Sequence, residues 1–210
     1  MNLSDIIPKT HYIQINLSDL LEQLGEDEVK EILSSFSCPI NADVEKFLKE
    51  RAVEFSKRQF SKTHLVFWET EDKKEKEFVG YYTITYKNIT IERSAVSGRE
   101  ARKLREHGVY DEKNNDYTIP APLIAQLGKN FSNGNNTLIT GDDLLHMAME
   151  KILKIRNEVG GRFAYLECED SPKLISFYER NHFKKFGKRP LDRDETDLKG
   201  QYLLQYFIMI

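Results

Sequence analysis

The stretch from Ile124 to Phe183 reads IAQLGKNFSNGNNTLITGDDLLHMAMEKILKIRNEVGGRFAYLECEDSPKLISFYERNHF. Its pattern predicts a short apolar strand, a Gly/Asn-rich loop ending in Thr140-Gly141, an amphipathic helix, a second strand, and a helix that contains Phe177-Tyr178. The free backbone N–H groups and positive dipole end of an exposed helix N-terminus bind phosphate without a basic side chain. The stretch therefore predicts an anion site with one tyrosine hydroxyl nearby.

The composition is that of a folded globular chain. Of its 210 residues, 40% are hydrophobic and 31% are charged, and this length can bury a large core as one domain spanning residues 1–210. No apolar run approaches the roughly 20 residues of a membrane span. The first residues, Met1 to Asp5, lack the basic and apolar regions of a secretory signal. We therefore expect a cytoplasmic protein without a membrane partner.

Cysteine usage and net charge narrow the classes of function. Cys38 and Cys168 lie far apart, and no histidines stand at metal-ligand spacing, so we expect reduced structural thiols and no metal. A net charge of −3 and a pI near 6.0 do not indicate broad attraction to nucleic acid. One basic cluster is interpreted as a solvated surface and consists of Lys184, Lys185, Lys188, Arg189 and Arg193.

The first half of the chain alternates between strand and helix patterns, and the pattern of residues 1–35 predicts a strand followed by helices. The predicted elements are a strand at Tyr12 to Ile15, two short helices within Leu17 to Phe36, a helix from Ala42 to Lys57 capped by Asn41, and strands at Thr63 to Trp68 and Phe78 to Tyr86 joined by a polar loop, Glu69 to Glu77.

The second half holds the proposed site. The predicted elements are a helix at Ser97 to Glu106, a charged loop at Gly108 to Tyr117, a strand at Leu123 to Gly128, a helix from Gly141 to before Gly160, a central strand at Phe163 to Cys168, a helix capped by Ser171 with Pro172 in its first turn, and a terminal strand at Tyr202 to Ile210. Gly128 permits either a bulge or a close backbone approach. The apolar terminal strand must be paired, and as an exposed edge it would allow a homodimer.

This order of elements resembles the GNAT superfamily of acyl-CoA-dependent N-acetyltransferases. The family usually carries Gln/Arg-x-x-Gly-x-Gly/Ala before a Leu-Leu helix, where this chain has Asn136 to Gly141 followed by Leu144-Leu145. Only the final glycine matches. The later family motif, Asn-x-x-Ala-x-x-Phe-Tyr-x-x-x-Gly-Phe, corresponds to Ser171 to Phe183, and Phe177, Tyr178 and Phe183 match.

An earlier region is similar to one bacterial branch of the superfamily, which includes toxin-like enzymes that acetylate aminoacyl-tRNA. The matching residues are Phe36 to Cys38, Val44 to Leu48, Ala52, and Gly80 to Thr83. The resemblance thus covers the chain from Phe36 onward. It implies a mixed α/β fold with a mostly antiparallel central sheet, helices on both faces, and a cofactor-binding core over residues 120–186.

The resemblance also implies acetyl-CoA as co-substrate, a primary amine as acceptor, and roles for individual residues. Gln126, Leu127 and Gly128 would pair with the pantetheine arm, backbone N–H groups of Leu138, Ile139, Thr140, Gly141 and Asp142 would hold the pyrophosphate, Ser171 would lie at the cofactor site, and Tyr178 would protonate the departing thiolate. A phenol with a pKa near ~10 and a thiol near ~8.5 are close enough for efficient proton transfer.

Several alternatives stay open at this point. Asp142 and Asp143 favour the helix dipole but repel a nearby pyrophosphate, which allows a binding module that has lost catalysis. One of Glu167, Glu169 and Asp170 could serve as the general base, because α/β folds place ligands at the ends of central strands. His146 is interpreted as a surface or packing residue.

Overall fold

An eight-stranded, mostly antiparallel sheet forms the centre of the protein, which a computed structural model describes for residues 12–69, 76–193, 195, 198 and 200–210. The strands are β1 (Tyr12–Asn16), β2 (Lys62–Glu69), β3 (Lys76–Glu92), β4 (Val109–Asp111), β5 (Asp116–Lys129), β6 (Phe163–Glu169), β7 (Lys184–Pro190) and β8 (Tyr202–Met209). Their order is β1-β2-β3-β5-β6-β8-β7, with β4 on β5. Only β5 and β6 pair in parallel, and the predicted fold class is confirmed.

Helices cover both faces of the sheet. They are α1 (Leu17–Leu24), α2 (Glu26–Ser34), α3 (Ala42–Lys46), α4 (Ala52–Lys57), α5 (Gly98–His107), α6 (Gly141–Val159) and α7 (Pro172–Arg180), with a π-helical segment at Phe47–Arg51 and 3₁₀ turns at Arg93–Ala95 and Ser132–Thr137. None of the described helices is long and apolar enough to cross a membrane.

Successive side chains along each strand point to opposite faces of the sheet, so the hydrophobic core forms one layer on each face. Leu65 and Tyr81 pack against α1–α4, whereas their neighbours Val66 and Tyr82 pack against α6 and α7 on the opposite face. A third cluster, which includes Ile91, lies under α5 beside the first layer. The central strand β6 is buried along most of its length, as the sequence predicts.

The main departures from the predicted elements concern the region around α5. The predicted charged loop, Gly108 to Tyr117, instead contains β4 and the start of β5, which pair from Val109↔Thr118 to Asp111↔Asp116. Strands β3 and β5 are also longer than predicted and pair as far as Glu92↔Asp116. The apolar residues in these additional parts of β3 and β5 are buried beneath α5. The many charged residues nearby in the sequence give no indication of this long-range contact. Part of the predicted polar loop, residues 70–75, lies outside the described residues, as do residues 1–11.

The terminal strand β8 is interior and not an edge. It pairs with β6 on one side and with β7 on the other. The expectation that so apolar a strand is paired is confirmed, but the prediction that it forms an exposed edge is wrong. The homodimer is predicted from an exposed edge of β8, and this edge is covered by β6 and β7.

His64 on β2 predicts an acid-sensitive step in stability. The imidazole is 5% exposed and stacks on Tyr82 with ring centroids 4.9 Å apart. Burial, followed by the nearby ammonium groups of Lys151 and Lys62, lowers the pKa of His64 to about 4. Because the unfolded histidine titrates near ~6.5, the unfolded chain binds the extra proton between these values, and stability falls as the pH drops through that window.

We expect this residue to contribute about 2 to 3 kcal/mol to the loss of unfolding free energy between pH 7 and pH 4. Urea unfolding at a series of pH values measures the loss. The variant His64→Phe keeps an aromatic ring against Tyr82 and removes the titrating group, so its pH dependence should be shallower. Equal slopes for both proteins would contradict the assignment.

Candidate active site

The parallel strands β5 and β6 separate soon after they meet. They pair only at Leu123↔Tyr165 and Ile124↔Leu166. At the next residue, β5 has a bulge, because Ile124 faces Ile84 while Gln126 faces Thr83, which leaves Ala125 as the extra residue. A bulge bends its strand and increases the local twist. The edge of β5 beyond Ile124 therefore turns away from β6 with backbone groups unpaired on that side.

Gly128 is required for close packing. A Cβ atom at this position would lie 2.4 Å from Cγ1 of Val44 and 3.4 Å from the ring of Phe36. Of the two roles predicted for this glycine, close approach is therefore confirmed, and the bulge lies three residues earlier. The Tyr81 hydroxyl donates a 2.6 Å hydrogen bond to the Val44 carbonyl oxygen and fixes α3 over this part of the strand.

A cleft of about 310 Å³ opens where β5 and β6 separate. Its walls come from the separating strands, the α3–α4 region, α7 and β7, and include Asp43, Phe47, Arg51, Ile124, Gln126, Leu127, Glu167, Cys168, Glu169, Leu174, Tyr178 and Arg189. Phe47 and Arg51 belong to the π-helical segment, a geometry that is common at functional sites. Gln126, Leu127 and Tyr178 thus share one cavity.

The N-terminus of α6 lies against α7, one of the elements that line the cleft. A Cβ atom on Gly141 would lie 3.2 Å from Cε2 of Phe177, so the glycine allows the loop to meet the residue that precedes Tyr178. Asn133 and Gly134 adopt left-handed conformations, with φ of 55° and 75°, as predicted for this loop.

Backbone donors at this helix start divide into two groups. The N–H of Leu138 donates to the Asn135 carbonyl, and the N–H of Thr140 donates to the Asp143 carboxylate. The N–H groups of Ile139, Gly141 and Asp142 donate to none of the described residues. The sequence suggests five backbone N–H groups, those of residues 138–142, as donors to an anion. Three of them, in Ile139, Gly141 and Asp142, are therefore available.

The two aspartates of the loop are already engaged. Asp143 accepts from the Thr140 hydroxyl and completes a capping box. Asp142 accepts hydrogen bonds from Asn181 at 2.7 Å and from Arg180 at 2.8 Å, and these bonds lower its pKa. The charge of Asp142 is thus compensated by α7, which weakens the repulsion expected between this carboxylate and a phosphate.

Tyr178 lies in the wall of the cleft within an aromatic cluster. Its ring contacts Phe177, Phe183 and Tyr206, with centroids 4.9, 6.1 and 6.2 Å away. The side chain is 8% exposed, and burial raises its pKa well above the ordinary value. The phenol is therefore neutral at physiological pH and can donate a proton.

The candidate bases have different surroundings. Glu167 lines the cleft, but its carboxylate accepts from Arg189 at 2.7 Å and Gln205 at 2.9 Å. Glu169 also lines the cleft, whereas Asp170 accepts a 2.7 Å hydrogen bond from the Tyr202 hydroxyl. Cys168 lies beside them as a free thiol whose pKa burial raises to about 12, as expected of an unreactive cysteine.

Three other predicted features have clear outcomes. Ser171 occupies the N-cap position of α7, but its side chain makes no capping hydrogen bond, so the predicted side-chain cap is wrong. His146 is exposed and lies 3.3 Å from Glu150, which confirms its surface position. Arg189 does not belong to a solvated basic surface, because it is largely buried and paired with Glu167 and Glu195.

Sequence reasoning missed the side chains that hold the loop before α6 in place. Asn130 is 1% exposed, donates to the Phe78 carbonyl at 2.8 Å, and accepts from the N–H groups of Ser37 and Ser132. Asn135 donates to the same carbonyl and to Glu77. An asparagine directly after a strand was the only signal in the sequence, and it does not identify a partner 52 residues away.

No protein-family model matches the sequence, nor does any curated protein sequence. Solved structures with similar folds include AtaT complexed with acetyl-methionyl-tRNAfMet (TM-score 0.60, 17% identity, 94% of each chain covered) and a tyrosine-to-phenylalanine mutant of KacT (0.60, 16%, 95% of each chain). A third is AtaTR bound with AcCoA (0.54, 18%, 95% of this chain and 93% of that chain). AtaT and KacT are GNAT-fold toxin acetyltransferases. The protein therefore has the GNAT fold, as its sequence motifs predict.

Proposed function

We propose that this protein is an N-acetyltransferase that transfers an acetyl group from acetyl-CoA to a primary amine by direct attack, with Tyr178 as the general acid. The observation that carries the proposal is a buried phenol in the cleft where β5 and β6 separate. The same helix, α7, contacts the start of α6, where three backbone N–H groups are free among the described residues. Residues 1–210 then act as one catalytic unit with a cofactor-binding core at 120–186.

Two parts of acetyl-CoA, the pantetheine arm and the diphosphate, find suitable chemistry in the described residues. The unpaired edge of β5 from Gln126 to Gly128 offers backbone groups to the amides of the pantetheine arm. The free N–H groups of Ile139, Gly141 and Asp142 suit the diphosphate. Asp142, held by Arg180 and Asn181, keeps its carboxylate directed to α7.

Acetyl-CoA supplies the activated acetyl group. The amine nitrogen bonds to the acetyl carbon, the thioester C–S bond breaks, and the Tyr178 hydroxyl gives its proton to the departing sulfur. Burial raises the pKa of Tyr178, so the phenol keeps its proton in the free protein. A pair of carboxylates, Glu167 and Glu169, faces the same cleft and can receive the proton that the amine loses, directly or through water.

Two substitutions of one residue test the phosphate site. Gly141 is the first residue of α6, where proline is tolerated, and Thr140 before it has the extended conformation that proline requires. Gly141→Pro removes one N–H donor, whereas Gly141→Ala adds a Cβ atom against Phe177 and keeps the donor. Because a hydrogen bond to a charged group is worth about 1.5 to 3 kcal/mol, we expect acetyl-CoA to bind roughly 10- to 100-fold more weakly to Gly141→Pro than to Gly141→Ala.

Isothermal titration calorimetry measures both dissociation constants, and thermal unfolding shows that the two variants are folded. With the unsubstituted protein, acetyl-CoA at 100 times its dissociation constant should add about 2.7 kcal/mol of stability, or roughly 5 to 10 °C. Equal affinities of the two variants would remove the Gly141 N–H from the site. A protein that binds no acetyl-CoA would instead be a non-catalytic module.

A second candidate acceptor is an aminoacyl-tRNA in the bacterial cytoplasm, which would make the protein a toxin. The similar structure of AtaT was solved with acetyl-methionyl-tRNAfMet, and this supports the candidate. Induced expression should then arrest translation, and Tyr178→Phe should relieve the arrest at equal protein levels. If translation continues during expression of the active protein, the acceptor is instead a small-molecule or protein amine.

Gel filtration would test the proposed homodimer.

A further inference from the structure

A second cavity lies between the C-terminal half of α6 and the strands β2 and β3. Its volume is about 530 Å³, within the range of sites that hold small ligands. It shares no lining residue with the cleft that contains Tyr178. The cavity is therefore separate from the proposed acetyl-transfer site.

The charge of this cavity is positive and uncompensated. Lys62 and Lys151 line it, and both are half-buried. Lys62 lies 3.3 Å from the Ser18 hydroxyl, and none of the ion pairs among the described residues involves either lysine. No aspartate or glutamate is among the described residues that line the cavity. Two ammonium groups without carboxylates favour an anionic ligand.

Aromatic and polar groups complete the walls. Phe60 is 56% exposed and Tyr86 is 47% exposed, and both line the cavity. Among the described residues, they are the two aromatic side chains in the group of exposed large hydrophobic residues. Ser61 and His64 are each more than nine-tenths buried, and Ser61 Oγ has no hydrogen-bond partner among the described residues. Buried polar atoms without partners are rare in folded proteins and call for an explanation such as a ligand or an ordered water.

The backbone beside these groups is also held in an uncommon conformation. Gln59 has φ of 60°, in the left-handed region that residues other than glycine seldom adopt. The Thr85 hydroxyl donates a 2.7 Å hydrogen bond to the carbonyl of Phe60 and fixes the turn that carries Phe60 and Ser61. Strained turns that are anchored in this way are found preferentially at binding sites.

We infer that this cavity binds a nucleotide, with its phosphate between Lys62 and Lys151 and its base against Phe60 or Tyr86. Lysine binds phosphate as a point charge, and stacking of a base on an aromatic ring contributes about 1 to 3 kcal/mol. Neutral His64 and Ser61 then provide hydrogen-bonding groups at the floor of the site. A free mononucleotide and a nucleotide within a single strand carry the same chemistry.

Calorimetric titration with adenosine 5′-monophosphate tests the inference, in the presence of saturating acetyl-CoA so that the cleft is filled. We expect binding that weakens at least tenfold in Lys62→Ala/Lys151→Ala and is unchanged in Lys113→Ala/Lys188→Ala, which removes the same charge at two exposed positions that do not line the cavity. Adenosine and inorganic phosphate should each bind more weakly than the nucleotide. If a short single-stranded oligonucleotide binds more tightly than the mononucleotide, the natural ligand is a nucleotide within a single-stranded nucleic acid.

Three results would overturn the inference: no binding of the nucleotide at millimolar concentration, equal losses in the two double variants, or complete competition between the nucleotide and acetyl-CoA. Circular dichroism shows whether the double variant is folded. If it is not, Lys151→Gln on α6 and Tyr86→Ala on β3 replace it, with the same expected loss of affinity. Failure of this test leaves the acetyl-CoA titrations unaffected, so the two proposals are judged separately.

Discussion

Replacement of Tyr178 by phenylalanine should lower kcat by at least about 10²-fold while the dissociation constant for acetyl-CoA changes little. General acid catalysis contributes on the order of 10² to 10⁴ in rate, and the substitution removes only the hydroxyl that we propose as the proton donor. The ring contacts with Phe177 and Phe183 remain. Steady-state kinetics together with calorimetric titration of acetyl-CoA separate the effect on turnover from the effect on binding.

Tyr206 provides a matched control in the same aromatic cluster. It is fully buried next to Tyr178, and its hydroxyl has no partner among the described residues, but it does not line the cleft. Tyr206→Phe should therefore leave kcat within a few-fold of the original value and should not destabilise the protein. Equal losses in both variants, or none in Tyr178→Phe, would remove Tyr178 from the mechanism.

Replacement of Asn130 by alanine should cost about 2 to 4 kcal/mol of unfolding free energy. The substitution leaves the half-buried N–H groups of Ser37 and Ser132 without their acceptor, whereas the Phe78 carbonyl keeps Asn135 as a donor. A buried polar group left unsatisfied costs about 1 to 3 kcal/mol. For a chain of this length, the loss corresponds to a fall in Tm on the order of 10 °C.

Asn136→Ala is the corresponding control, because this asparagine lies in the same loop and its side chain makes none of the hydrogen bonds described. Its unfolding midpoint should stay within a degree or two of the original. Chemical denaturation of both variants measures the difference. An Asn130→Ala protein as stable as Asn136→Ala would show that the loop does not depend on this side chain.

The sequence predicts the part of the fold that local signals encode. The 3.6-residue period after Gly141, the apolar run from Phe163 to Cys168 and the proline at the start of α7 each act over a few residues, and all three elements are present. The order of these elements along the chain also determines the topology of the sheet. As a result, one cleft contains the predicted site residues Gln126, Leu127 and Tyr178.

Features that depend on distant partners could not be predicted in this way. Strand β4 forms because its backbone pairs with β5, and a run of charged residues conceals that pairing. The sequence predicts a solvated position for Arg189, because local patterns do not reveal its distant partner Glu167 or its ion pair with Glu195. The bulge at Ala125 leaves no sequence mark at all, since it arises from the register of β3 against β5.

The short contact between β5 and β6 has a consequence for cooperativity. Strands β1 to β5 form one half of the sheet and β6 to β8 the other, and the backbone ladder between the halves consists of two residue pairs among the described strands. A ligand that pairs with the free edge of β5 while contacting β6 and α7 adds the connections that the backbone lacks. Substrate binding should therefore couple the two half-sheets mechanically, so that amide protons along both strands exchange more slowly in the occupied protein than in the free one.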